Sequence, residues 1–357
     1  NNLFTLCHLI YTDTFYMKRK WIRWVSWILL TPIILFVILM VLLYVPPVQN
    51  LLRREVTAYA SKATGMQIQV ERIDLRFPLN LLVRGVEVIQ QPDTLLSLES
   101  LNVRVQAWPL IKGKVEVDEV TLSRVAVNSA DLMEGMKIKG VLGRFFLQSH
   151  GVDLSNELAV INQVELSDTH MQLLMNDTTT TPKDTTASAP INWKVALHQL
   201  KLKNVSFSMQ LPADSMRMAA HIGEAAIDDA QADLKNQYYD LKKFLLSGTS
   251  ASYDTGTAQP TEGFDASHIA VRDIRIALDS LLYKGRDMNA VIREFTMNER
   301  SGLSVTALTG RAYSNDSVIC VPSLKLNTPH SEIDLSAHTY WELVNIPTTG
   351  RLSARLN

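Results

Sequence analysis

The stretch EVTLSRVAVN (residues 119–128) sets apolar side chains at alternate positions around a polar break, and the scheme recurs. QVELSDTHMQL (163–173), QLKLKNVSFSM (199–209) and VRDIRIAL (271–278) repeat it, often with Asp or Asn near the middle. Side chains of a strand alternate between two faces, so this period of two marks strands with one apolar and one polar side. The spacing between copies is uneven, which excludes a strict solenoid repeat. The copies fit long strands of one sheet, each kinked at a similar point.

Working outward, the same alternation begins just past Gly65, at Ile68, Val70 and Ile73. It continues through Leu81, Val83, Val86 and Val88, then Leu96, Leu98, Leu101, Val103 and Val105. Val115, Val117, Val120 and Leu122 follow, with Val125 and Val127 behind the break. Residues 133–147, with KIKGVLGRFFL, read as strand. Residues 223–237 are helical by propensity and strand-like by pattern, and strand is the preferred reading. NDTTTTPKDTTASAP (176–190) offers no apolar face to bury and reads as a loop or linker. GTSASYDTGTAQPTEG (248–263) reads as a second polar loop.

Upstream, residues 24–45 (WVSWILLTPIILFVILMVLLYV) carry no charge and follow Lys18, Arg19, Lys20 and Arg23. About 20 apolar residues span a ~30 Å hydrocarbon core as a helix. The basic cluster orients its end to the cytoplasm. Trp24, Trp27 and Tyr44 sit near the two ends, where amphipathic rings favour the interface, and Leu35 lies mid-span. A cleaved signal peptide is the competing reading. The long apolar run and the exit VPPVQNLLRRE, without a small-x-small site, favour an uncleaved anchor ending at Val45. Residues 1–16 are expected to be a non-native extension, with translation starting at Met17. Pro46-Pro47 interrupt the spanning helix. A second helix over 47–65 places Val48, Leu51, Leu52, Val56, Tyr59, Ala60 and Ala63 at helical spacing and ends at Gly65. Its apolar side is expected to pack on the sheet, resting on the outer leaflet being the alternative.

Lys+Arg and Asp+Glu nearly cancel, which removes the basic excess a nucleic-acid footprint needs. No phosphate loop, dinucleotide fingerprint, H-E-x-x-H, G-x-S-x-G or C-x-x-C occurs. The histidines at 150, 170, 198, 221, 268, 330 and 338 are dispersed singly, and no metal or cofactor is expected. Asp228, Asp229 and Asp233 lack the order of a calcium loop and read as a solvated face. Cys320 alternates with apolar neighbours as a small hydrophobe. A long one-faced sheet then has two options: to close over its own core, or to leave an apolar groove able to shelter acyl chains.

A basic start, one anchor, a helix ending in Thr64-Gly65 and then strands resembles the AsmA-like superfamily, nearest its TamB-like branch of translocation-and-assembly subunits. TGMQIQV (64–70), RGVEV (84–88), LESLNV (98–103) and WPLIKGKVEVDEV (108–120) carry the likeness. It covers residues 17–175 well and the remainder as general β pattern. What the resemblance implies is a mainly β, elongated, twisted sheet groove, single-pass in the inner membrane of a Gram-negative bacterium, with its bulk in the periplasm. It implies a non-enzymatic role in outer-membrane biogenesis, by conducting phospholipids between membranes. The alternative is a scaffold that helps assemble outer-membrane barrels with a BamA-family partner. An anchored sensor or enzyme is the remaining class. Residues 66–175 would form the family's opening β region and 191–357 its continuation, extending past the end of this chain. Val83, Val103, Val105, Val117, Leu122, Val125 and Val127 are the candidate groove-lining residues.

Overall fold

The computed structural model describes residues 45–77, 79–90, 93–111, 116–133, 135–153, 156–175, 192–343 and 351–356, with single positions 31 and 41. Helix α1 (Pro46–Thr64) opens with prolines in its first turn, where their missing N–H costs nothing. It closes at Gly65, whose φ of 70° is the left-handed C-cap. The strands follow: β1 (Gln67–Arg76), β2 (Asn80–Gln90), β3 (Asp93–Val105), β4 (Val117–Met133), β5 (Met136–Asp153) and β6 (Leu158–Met175). After them come β7 (Lys194–Leu211), β8 (Met216–Asp233), β9 (Tyr238–Asp254), β10 (His268–Lys284) and β11 (Asp287–Glu299). The series ends with β12 (Ser304–Val305), β13 (Ala307–Ser314), β14 (Val318–Asn327), β15 (Glu332–Tyr340) and β16 (Arg351–Leu356). A short helix, α2 (Ala107–Ile111), interrupts them before β4. Strand alternation does not foretell it.

All of these strands belong to one open sheet, paired in chain order from β1 to β16, with β12 attached beside β11. The segments 133–147 and 223–237, both read as strand and the second ambiguous in period, lie mainly in β5 and β8. At ~3.3 Å per residue the 17- and 18-residue strands are about 55–60 Å long. At ~4.8 Å per strand the sheet extends roughly 70 Å across them. Every ladder is antiparallel except β6–β7, which is parallel. There each residue faces the one 36 positions later, from Leu158↔Lys194 to Leu174↔Gln210, and Asp168 bonds Asn204 across that offset. Two copies of the recurring motif therefore lie side by side in phase.

The polar breaks are real kinks. Arg124, Asp168, Asn204 and Asp273, one in each copy, have φ of 47°, 50°, 53° and 56°. Asp and Asn tolerate this region because their short side chains bond locally. Asn204 Nδ2 donates to Asp168 Oδ1 at 2.8 Å, and Asn298 Nδ2 donates to Asp273 at 3.2 Å. Arg124 pairs with Glu99. These points align into a line across the sheet, where the ladders skip a pair between Ser123↔Arg144 and Val125↔Leu142, and between Lys203↔Glu224 and Val205↔Ile222. A second line passes Asp229 (φ 53°), to which His198 donates at 3.0 Å. A single left-handed residue reverses the phase of alternation. Apolar positions in β7 accordingly run Val195, Leu197, then Leu200, Leu202, then Val205, Phe207, Met209. The alternation read from sequence as a sustained period of two thus slips by one residue at each line, which keeps the apolar side chains on one face.

Two expectations need correction. The polar loop assigned to 248–263 begins later, because β9 continues to Asp254 and Thr249, Ala251 and Tyr253 keep its apolar side. Helix α1 also turns its polar side to the sheet. Gln49 donates to the Leu75 carbonyl at 3.1 Å, Arg53 donates to the Glu71 carbonyl at 2.7 Å, and the Ile68 N–H donates to Ser61 Oγ at 3.1 Å. β1 is an edge strand with unpaired backbone groups, and polar side chains satisfy them where apolar ones would leave them orphaned.

Before β10, Asp265 fastens the turn. It accepts from the backbone N–H of Thr261 at 3.1 Å, from His268 Nδ1 at 2.9 Å and from the Ser267 N–H at 3.0 Å. Those donors, the Thr261 N–H foremost, hold its carboxyl far below the ordinary value of 3.8. The native-state pKa is depressed, so its contribution is present above about pH 4 and is lost as pH falls below that. Asp265→Asn is expected to make residues 255–267 several-fold more sensitive to limited proteolysis at pH 7. Cleavage at the wild-type rate would refute this role.

Candidate functional site: an uncovered apolar face

Cross-strand pairing builds the site. From β1 through β15 the row Leu75, Leu81, Val103, Val120, Leu147, Val164, Leu200, Ile227, Phe244, Leu278, Ile292, Gly310, Leu324 and Leu335 joins direct partners. Leu335 then meets Ala354 of β16. No polar side chain interrupts this row. A neighbouring row runs from Ile73 through Val83, Leu101, Leu122, Phe145, Leu166, Leu202, Ala225, Leu246 and Ile276 to Phe295. Such pairs each stabilise a sheet by about 0.2–1 kcal/mol over Ala–Ala.

Among the described residues no second layer packs on this face. A packed interior would bury its large aliphatic side chains almost completely. Here, among the described residues, the buried large apolar side chains are few: Ile73, Leu95, Leu98 and Val305. Leu81, Val103, Leu147, Leu200, Ile227 and Phe244 are all half-buried. Phe207, Met218, Tyr239, Leu281 and Tyr283, on the same face, are 39–44% exposed. Elements in substantial contact are ladder neighbours, with α1 against β1. Contiguous apolar surface of this extent, uncovered among the described residues, is a candidate binding surface.

The opposite face is polar and internally paired. Arg104 meets Glu119 at 3.0 Å, Lys194 meets Asp233 at 3.5 Å, and Gln199 donates to Asp228 at 3.4 Å. Asp228 and Asp233, read from sequence as a solvated face, are bound into this pairing. A hollow of about 590 Å³ opens on this side, lined by His170, Ser206, His221, Ser252, Arg272 and Arg300 among others. Ser206 and His221 lie 2.9 Å apart there, but no carboxylate is bonded to His221 among the described residues. A nucleophile, a base and an orienting third group are therefore not assembled at this point. Among the described residues no cluster of His, Cys, Asp or Glu is arranged to hold a metal ion.

Compared with protein-family models and with curated proteins, the chain matches none.

The sequence-derived residues all reach this surface. Val83 pairs with Leu101, Val103 with Val120, Val105 with Val117, Leu122 with Phe145, Val125 with Leu142 and Val127 with Leu96. All seven are half-buried. They cover only the β2–β4 end of the surface. The remainder, from Leu147 to Leu335, was not foreseen, although apolar spacing of two broken by steps of three at the Asp, Asn or Gly kinks would have found it. Of the anchor and topology residues, Val45 alone is described, as the extended residue capping α1. Trp24, Trp27, Leu35, Tyr44, Lys18, Arg19, Lys20 and Arg23 lie outside the described residues. Among those described, no helix is long and apolar enough to cross a membrane.

Proposed function

We propose that this chain is a membrane-anchored, non-enzymatic lipid conduit whose open apolar sheet face shelters acyl chains of phospholipids moving between inner and outer membranes. The observation that carries the reading is the unbroken apolar row from Leu75 to Leu335, half-exposed and without a covering layer among the described residues. Removing each CH₂ of an acyl chain from water gains about 0.8 kcal/mol, so a continuous aliphatic track of roughly 70 Å gives a tail a path without a polar barrier. The charged pairs on the other face give it water to face. The uncharged run at 24–45 supports attachment to the donor membrane, and the likeness to AsmA-like proteins supports the periplasmic setting.

Photo-cross-linking tests the reading. A benzophenone side chain at Leu200 or Phe244 of the full chain in membranes is expected to capture phospholipid, and one at Lys201 on the polar face is not. Equal capture at all three positions, or none, would sink the conduit. Capture of unfolded barrel proteins instead would favour an assembly scaffold.

A further inference from the structure

Helix α1 leaves an apolar flank that nothing in the sheet uses. Leu51 is 58% exposed, Val56 46% and Tyr59 77%, and Ala63 is exposed beside them. At 100° per residue these four fall within an arc of about 140°, which Glu55 and Lys62 share. Gln49, Arg53, Thr57 and Ser61 share another, and of these Gln49, Arg53 and Ser61 bond the edge of β1. The flank is therefore fixed in direction by the same contacts that dock the helix.

We propose that this flank lies in the surface of a lipid bilayer, with Leu51, Val56 and Tyr59 set among the headgroups and upper acyl carbons. The inference rests on the reading of 24–45 as a membrane anchor. The uncharged run ends at Val45 and α1 begins at Pro46, so no spacer separates them. A helix starting there cannot stand more than a few ångströms from the interface at its first turn. Tyr suits that depth, having an apolar ring and a polar hydroxyl. Arg53, Arg54 and Lys62 against a single acid, Glu55, give the helix a positive balance that anionic headgroups attract. The consequence is positional: α1 holds β1, the first rung of the apolar track, at the lipid surface.

The test uses the full chain with Cys7→Ser and Cys320→Ser, carrying Tyr59→Cys or Arg54→Cys labelled with an environment-sensitive fluorophore. Arg54 lies about 140° around the helix from Tyr59, next to the side that docks on β1. The protein is placed in vesicles of phosphatidylethanolamine and phosphatidylglycerol that contain a quencher near the headgroup, and retention after alkaline extraction is scored in parallel. The expected result is retention with quenching at position 59 about threefold or more above that at position 54. Retained protein with equal quenching at both positions overturns this inference and leaves the anchor standing. Loss of retention with no quenching overturns both. A disulfide-linked dimer of the unlabelled Tyr59→Cys variant, in place of quenching, assigns the flank to a second copy and also overturns it.

Discussion

Leu122→Asp together with Leu200→Asp is expected to abolish phospholipid capture at Phe244 while leaving the sheet folded. A carboxylate within an acyl environment costs about 3 kcal/mol, or roughly a hundredfold in occupancy. Both positions sit in the apolar rows, Leu122 against Leu101 and Phe145, Leu200 against Val164 and Ile227. The ladders are held by backbone hydrogen bonds that the substitutions do not touch, and the face is open, so the new charges can keep their water. Far-ultraviolet circular dichroism and cross-linking yield read the two effects separately. A folded variant with unchanged lipid capture would rule out the conduit, and an unfolded one would show that the face is a closed core.

Gly223→Val is expected to destabilise the sheet strongly. On the first kink line Gly223 faces Gly248, and a Cβ at Gly223 would lie 2.9 Å from the Gly248 carbonyl oxygen and 3.2 Å from its Cα. Both obstacles are backbone, so no side chain can swing away. Gly248 itself has φ of 58°, a conformation that glycine adopts without cost. The loss should be about 2–3 kcal/mol, seen as a lowered urea midpoint and faster amide exchange along β8 and β9. Ala219→Val, on the exposed polar side of β8, is the comparator and should shift the stability by no more than about 0.5 kcal/mol. Equal midpoints for the two variants would show that the close approach carries no weight.

The one-sided β character was readable from the sequence because a strand with one apolar and one polar face imposes a period of two. The kinks were readable too, since Asp and Asn at mid-strand have few other reasons to recur, and all four copies of the motif carry a left-handed residue. Arg124 is the costly member, being a long side chain in that region. What escaped was set by partners at a distance. Periodicity in α1 says which residues are apolar but not what covers them. The demand of an edge strand for hydrogen bonds then turned Gln49, Arg53 and Ser61 inward. The second half of β9 was hidden because its polar-side residues Ser250 and Ser252 resemble a loop when the apolar Ala251 and Tyr253 between them are not counted. Strand direction leaves no mark in local composition, so nothing announced that β6 and β7 run the same way. Whether a face is open or closed is likewise a property of neighbours and not of the strand itself.

The parallel step between β6 and β7 has a consequence for how such a molecule could change size. Because the two strands match at a constant offset, β6 has the phase needed to meet β8: Leu166 would replace Leu202 opposite Ala225, and Leu174 would replace Gln210 opposite Arg217. Removal of residues 176–211 would join Met175 to Pro212 at the existing turn and leave an antiparallel meander at that point with every other ladder intact. Duplication of the same unit would add one strand. The length of the track is thus set in increments of one ~4.8 Å rung, each supplied by a single tandem copying event. A chain with this register can be lengthened or shortened one strand at a time without redesign of its two ends.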